Sequence, residues 1–192
     1  MAIREIVLIG NPVLRKKAKK IDRIIPLIKQ LIDDMVATMY KAPGIGLAAP
    51  QVGVSKRVIV VDVGERLYKL INPKIVSSEG LETGTEGCLS VPGKVGEVER
   101  ATNVVVKAMN TDGRYIKIEA GGFLAKCFQH EIDHLDGILY VDKATDIRDV
   151  FEEMEEELES VMYEDEIIEE ESAHRMVKTF HEQDQTKAIF EL

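Results

Sequence analysis

Between Ile24 and Tyr40 the apolar residues Leu27, Ile28, Leu31, Ile32, Met35, Val36 and Met39 recur at three- and four-residue intervals. That spacing gathers side chains on one face of a helix. Pro26 is tolerated in a first turn, where no intrahelical N–H is needed, and Pro43-Gly44 closes the pattern, so an amphipathic core helix is predicted over 24–40. The period then changes. Residues 57–63, 67–76, 95–109 and 115–119 are rich in β-branched side chains, and Thr111-Asp112-Gly113-Arg114 supplies a hairpin turn. A second helix is predicted between Gly121-Gly122 and Gly137, mostly buried because Phe123, Leu124, Phe128, Ile132 and Leu135 are spread along it. Strands grouped between two helices, rather than alternating with them, predict an α+β fold, with antiparallel sheets around a central second helix and an N-terminal helix beside them.

From 151 to 171 the pattern is of another kind: 12 Asp and Glu, no Lys or Arg, and one apolar stripe of Phe151, Met154, Leu158 and Met162. A solvated acidic C-terminal helix is expected there. The chain is therefore divided into a domain at 1–150 and an acidic helical extension at 151–192, either part of the same domain or partly mobile. The acidic stretch outweighs the whole formal charge of −9. Phosphate backbones attract cations, so no direct nucleic-acid binding is expected.

With 192 residues and 45% hydrophobic content, one domain with a real core is affordable and two would be cramped. No apolar run approaches the roughly 18 residues of a membrane span, and the start lacks a basic-then-apolar secretory pattern. A cytoplasmic location without a membrane partner is expected. The two cysteines, Cys88 and Cys127, offer no structural disulfide once one of them binds metal, which suits a reducing compartment.

The second helix carries Gln129-His130-Glu131-Ile132-Asp133-His134, in which His130 and His134 fall one helical turn apart on one face and can grip a single metal ion. Glu131 lies on the neighbouring flank, placed to handle a proton rather than to be a third ligand. The plain alternative is a buried helix with two hydrogen-bonded histidines. Candidates for a third ligand are Cys88, Cys127, His174 and His181. Cys127 sits roughly 7.5 Å along the helix from the midpoint of the pair, beyond the reach of its thiol. Cys88 stands in Gly84-Thr85-Glu86-Gly87-Cys88-Leu89-Ser90-Val91-Pro92, read as an irregular loop whose glycines let it approach the helix from elsewhere. Gly44-Ile45-Gly46-Leu47-Ala48-Ala49-Pro50-Gln51 also permits close backbone approach, and Gln51 could donate to a developing oxyanion. The order of a dinucleotide fingerprint is missing, so phosphate binding is discounted.

Together GIGLAAPQ at 44–51, EGCLS at 86–90 and QHEIDH at 129–134 closely resemble the three signature motifs of peptide deformylases, and Gly10-Asn11-Pro12-Val13-Leu14-Arg15 resembles the family's N-terminal segment. The likeness covers roughly residues 1–145. It implies a metal-dependent amide hydrolase that removes the formyl group from the N-terminal formylmethionine of newly synthesised polypeptides, releasing formate. By resemblance the ligands are Cys88, His130 and His134, holding one divalent ion, iron(II) in the cell, with zinc, nickel or cobalt able to substitute. Glu131 is then base and later acid, while the Gln51 amide and the Leu89 backbone N–H steady the oxyanion. Ile45, Gly46, Glu86, Arg100, Phe123 and Cys127 are placed around the substrate. The implied partners are N-formylmethionyl nascent polypeptides, with ribosome proximity. Three other readings stay open from the residues alone: a zinc peptidase with a downstream third ligand, a cysteine hydrolase with Cys88 as nucleophile, and a metal module that serves folding only.

Overall fold

The structure is a computed structural model and describes residues 1–152, 154 and 155. The chain forms two compact units, Met1–Arg148 and Asp149–Leu192, and the elements that position the candidate site lie in the first. The acidic helix predicted over 151–171 falls outside the described residues, apart from helical positions 151, 152, 154 and 155.

Helix α1 spans Pro26–Lys41 and starts on its proline, as the pattern predicts. Ile28, Leu31, Ile32, Met35, Val36 and Met39 form its buried face, but Leu27 is 62% exposed and does not join the core. One position off the stripe is enough to turn it to water. The chain then makes strand β1 (Gly46–Ala48), a 3-10 turn (Ala49–Val52), β2 (Val58–Asp62) and the long β3 (Leu67–Glu79). Strands β6 (Asn103–Met109) and β7 (Tyr115–Gly121) complete a five-stranded sheet ordered β1-β2-β3-β6-β7. Its neighbouring strands all pair antiparallel. The predicted hairpin turn is present at Asn110–Arg114, where the Asn110 carboxamide oxygen accepts from the N–H groups of Asp112 and Arg114.

The central strand β2 explains how both helices find cover. Val58 and Val60 join the core cluster of α1, whereas Ile59 and Val61 join the cluster of the second helix, α2 (Gly122–Asp136). Successive strand residues point to opposite faces, so a continuous run of β-branched residues serves two helices on two sides of one sheet. Helix α2 ends at Gly137, whose φ of +78° is the left-handed cap conformation. A Cβ there would sit 2.6 Å from the Arg15 carbonyl oxygen, so backbone conformation and close packing both demand glycine.

Two expectations need correction. The segment read as an irregular loop around Cys88 is strand β4 (Glu82–Cys88), joined by a tight turn to β5 (Val91–Arg100) and, with β8 (Thr145–Asp149), forming a second sheet ordered β4-β5-β8. The ladder shifts register between Gly87 and Cys88, a bulge of the kind that re-aims a side chain. The stretch 95–109 is likewise two strands in two sheets rather than one. The break falls at Ala101-Thr102, where the Gln129 carboxamide bonds both the N–H and the carbonyl of Ala101, at 3.0 and 2.9 Å.

Candidate metal and catalytic site

The bulge at the end of β4 brings Cys88 to the face of α2 that carries His130 and His134. One donor atom from each of the three lies within 4.8 Å of the others. Cys88 Sγ is 3.3 Å from His134 Nε2, and the two imidazoles are 5.0 Å apart between centroids. Donors on one tetrahedral ion, with bonds of about 2.0–2.3 Å, stand roughly 3.3–3.6 Å apart, so this spacing fits a single mononuclear ion. One thiolate and two imidazoles form a three-ligand set, which leaves a fourth position for chemistry.

The supports of this cluster are hydrogen bonds. His130 Nδ1 lies 2.8 Å from Glu86 Oε2, which turns its Nε2 to the cluster as the free donor. Glu86 is gripped by Arg100 through Nε at 2.7 Å and Nη2 at 2.9 Å, and the remaining guanidinium nitrogen bonds Asp133. Arg100 is 3% exposed. Burial would raise the Glu86 carboxyl, but the Arg100 and His130 hydrogen bonds outweigh it and hold the group at about 2. The ring of Tyr140 stacks against His130, and its hydroxyl donates to the Lys94 carbonyl.

Gln51 is buried in the 3-10 turn. Its carboxamide oxygen accepts from the Ala48 N–H at 2.8 Å, and its Nε2 donates to Cys88 Sγ at 3.4 Å and to Ser90 Oγ at 3.3 Å. Leu89 occupies the turn after Cys88, where its Cδ1 would lie 2.8 Å from a Cβ added at Gly44. Ile45 and Phe123 stand exposed and Cys127 is buried. Burial, reinforced by Glu131 and Glu86, pushes the Cys127 thiol up to about 12, and the converging donor set consists of Cys88, His130 and His134 without it.

Glu131 has a different environment from the other acids. It is 5% exposed, and its Oε2 has no hydrogen-bond partner among the described residues. Burial pushes its carboxyl up to about 7 against the pull of His130. Gly46 makes room for it, since a Cβ there would lie 2.3 Å from Glu131 Oε1. Burial also drives His134 well below its ordinary value, and its Nδ1 is likewise buried without a partner. For His130 burial opposes charge, yet Cys88, Glu86 and Glu131 prevail and raise it to about 10.

Four positioning residues were not singled out from the sequence: Ser90, Gln129, Asp133 and Tyr140. Three of them lie inside or beside the motifs, where adjacency was the available signal. Tyr140 carried none.

The arrangement is that of a metal-dependent hydrolase with a single-ion site. The family model for polypeptide deformylase matches residues 3–150. A peptide deformylase of Symbiobacterium thermophilum is 59% identical over 163 residues, covering 83% of this chain and 75% of that one, and one of Halothermothrix orenii is 57% identical over 149 residues, covering 77% and 97%. Among solved structures, peptide deformylase from Thermotoga maritima aligns with a TM-score of 0.74 at 43% identity, covering 76% of this chain and 99% of that one. The Synechococcus elongatus peptide deformylase in complex with actinonin aligns with a TM-score of 0.73 at 46% identity, covering 74% and 79%. The chain belongs to the polypeptide deformylase family, whose mixed fold of antiparallel sheets and few helices it shares. Its activity is the metal-dependent removal of an N-terminal formyl group from formylated nascent peptides, by hydrolysis of the formyl amide.

Proposed function

We propose that Cys88, His130 and His134 hold the ion, iron(II) in the cell with zinc, nickel or cobalt able to replace it, and that residues 1–150 are the catalytic domain to which 151–192 add an acidic extension. The observation that carries this reading is the convergence of one sulfur and two ring nitrogens within 4.8 Å, beside a buried carboxylate with an unpartnered oxygen. The compact unit Met1–Arg148 and the family match at 3–150 support the domain limits.

A bound divalent ion supplies Lewis acidity, making water nucleophilic near neutral pH and polarising the formyl carbonyl. Glu131 takes a proton from the attacking water and returns it to the peptide nitrogen as the C–N bond breaks, so formate and a free amine leave. Gln51 Nε2, whose two present bonds are long, turns one N–H to the oxyanion, and the Leu89 N–H gives the second. Glu86 and Arg100 stand around the substrate, and the Arg100–Glu86–His130 hydrogen bonds hold the imidazole in place. Gly46 offers backbone hydrogen bonds to the peptide, and Ile45, Phe123 and Cys127 enclose the methionine side chain. Among the described residues no helix is long and apolar enough to cross a membrane. The reading places the enzyme in the cytoplasm, close to the ribosome where its substrates emerge.

Formate release from a formyl-Met peptide by anaerobically purified protein, with its metal quantified, is the test. Activity should vanish on chelation and return with iron(II) or nickel(II). Cleavage of internal peptide bonds instead, or full activity without metal, would overturn the proposal.

A further inference from the structure

The acidity of the chain is confined to one end. Residues 1–150 hold 22 Lys and Arg against 19 Asp and Glu, whereas residues 151–192 hold 3 against 15. Part of the cationic excess gathers on one face of the five-stranded sheet. Lys74 on β3 is directly opposite Lys107 on β6, and Lys107 is directly opposite Lys117 on β7. Opposed residues share a face at about 4.5–5.5 Å, where like charges destabilise the pairing. Lys117 offsets its charge with Glu119 at 2.7 Å, but Lys74 and Lys107 have no ion-pair partner among the described residues.

A groove of about 780 Å³ opens beside these two lysines and is lined as well by Lys17, Lys20 and Tyr115. Tyr115 is 86% exposed, so one ring stands in water at the groove's edge. Of the two acids lining the groove, Asp136 is shared by Arg57 at 2.7 Å and Lys17 at 3.8 Å, which leaves Asp22 against Lys20, Lys74 and Lys107. The volume exceeds what one phosphate needs. A flat bilayer surface cannot follow lysines into a concavity, whereas a single strand of nucleic acid can.

We propose that this groove binds single-stranded RNA, its phosphates over Lys17, Lys20, Lys74 and Lys107 and one unpaired base stacked on Tyr115. Cationic tracks with an exposed aromatic ring bind single strands with little sequence preference, and an RNA backbone would relieve the opposed lysines. The expectation of no direct nucleic-acid contact drew on the acidic stretch at 151–171. The charge of this face has the opposite sign.

The test uses the full-length, metal-loaded protein and fluorescence anisotropy with a labelled single-stranded RNA of about 12 nucleotides, between roughly 50 and 200 mM salt. Affinity should fall steeply with salt, with a log–log slope near −3, since each phosphate neutralised on a single strand contributes about −0.7. The Lys74→Glu/Lys107→Glu variant should bind at least about tenfold more weakly while releasing formate at the wild-type rate. Tyr115→Ser should weaken binding several-fold without changing the salt slope. Lys107→Glu alone should raise the unfolding temperature, because it places an opposite charge between Lys74 and Lys117, which keeps the test readable if the double variant folds poorly. Absence of binding at low salt, undiminished binding by both charge variants, or preference for anionic vesicles over RNA would each overturn the proposal.

Discussion

Helices α1 and α2 lie on opposite faces of the same sheet, have nearly equal length and bury similar apolar stripes, yet they treat their buried polar groups in opposite ways. In α1 Asp34 is 2% exposed and accepts from the Ala2 N–H and from Arg4, and Thr38 bonds the Asp34 carbonyl and the Arg4 N–H. In α2 Glu131 and His134 are just as buried, but each keeps an atom without a partner. The carboxyls respond accordingly: the Ala2 and Arg4 hydrogen bonds lower Asp34, while burial raises Glu131 to about 7. A buried polar group that is fully bonded holds the fold together. One left unbonded costs stability and is retained where chemistry needs it.

The sharpest way to break this contrast is Glu131→Gln. The change keeps shape and removes the proton acceptor, so kcat should fall by about 10²–10⁴-fold. Metal content and unfolding temperature should stay at wild-type values or rise, because a carboxylate without partners is being replaced by a neutral amide. Turnover within twofold of wild type, with metal bound, would remove Glu131 from the reaction.

Arg100→Met tests the bonded network that flanks the unbonded groups. It leaves Glu86 buried without its main counter-ion, and such a loss typically costs about 3–5 kcal/mol. Because Glu86 orients His130, metal affinity should also drop by about 10–100-fold, read by competition with a chelating dye. Loss of stability with metal affinity intact would show that the network serves packing alone.

Gly46→Ala is milder. The new Cβ would meet the Glu131 carboxylate at 2.3 Å, and the side chain must move aside. A displacement of about 1 Å can cost on the order of 10²-fold in rate. The effect should appear in kcat, and combining it with Glu131→Gln should add almost nothing, since both act through the same carboxylate. Additive losses would mean that Gly46 contributes separately.

How much of this was legible in the sequence depends on the range over which each feature is determined. Both helices could be read because their apolar period is local, and His130, Glu131 and His134 because one helical turn fixes their relation. The type of the third ligand could be narrowed by reach. Strand β4 was missed because Glu82-Thr83-Gly84-Thr85-Glu86-Gly87 has no apolar alternation and is held by its pairing with β5. The corner at Ala101 was missed because Gln129, 28 positions away, sets it, while the local residues continue a strand pattern. Glu86 and Arg100 were named from resemblance, but their partnership spans 14 positions and the Arg100–Asp133 bond spans 33. Ion pairs at such range leave no local trace.

The smallest effect belongs to the bonded helix. Asp34→Asn keeps an acceptor for Ala2 but removes the charge that Arg4 meets at 2.9 Å. The folded carboxyl is lowered, chiefly by the Ala2 hydrogen bond and then by Arg4, so its stabilising share is present above the unfolded pKa of about 3.9 and is lost as pH falls through the folded value. Urea unfolding of wild type and Asp34→Asn should therefore differ at pH 6–7, with the wild type more stable, and the difference should shrink on acidification below about pH 4. Formate release at neutral pH should be the same for both, because Asp34 is on the face of the sheet away from His130 and His134. A gap that widens in acid would show that Asp34 is not held as the charged form, and the distinction between the two helices would lose its electrostatic basis.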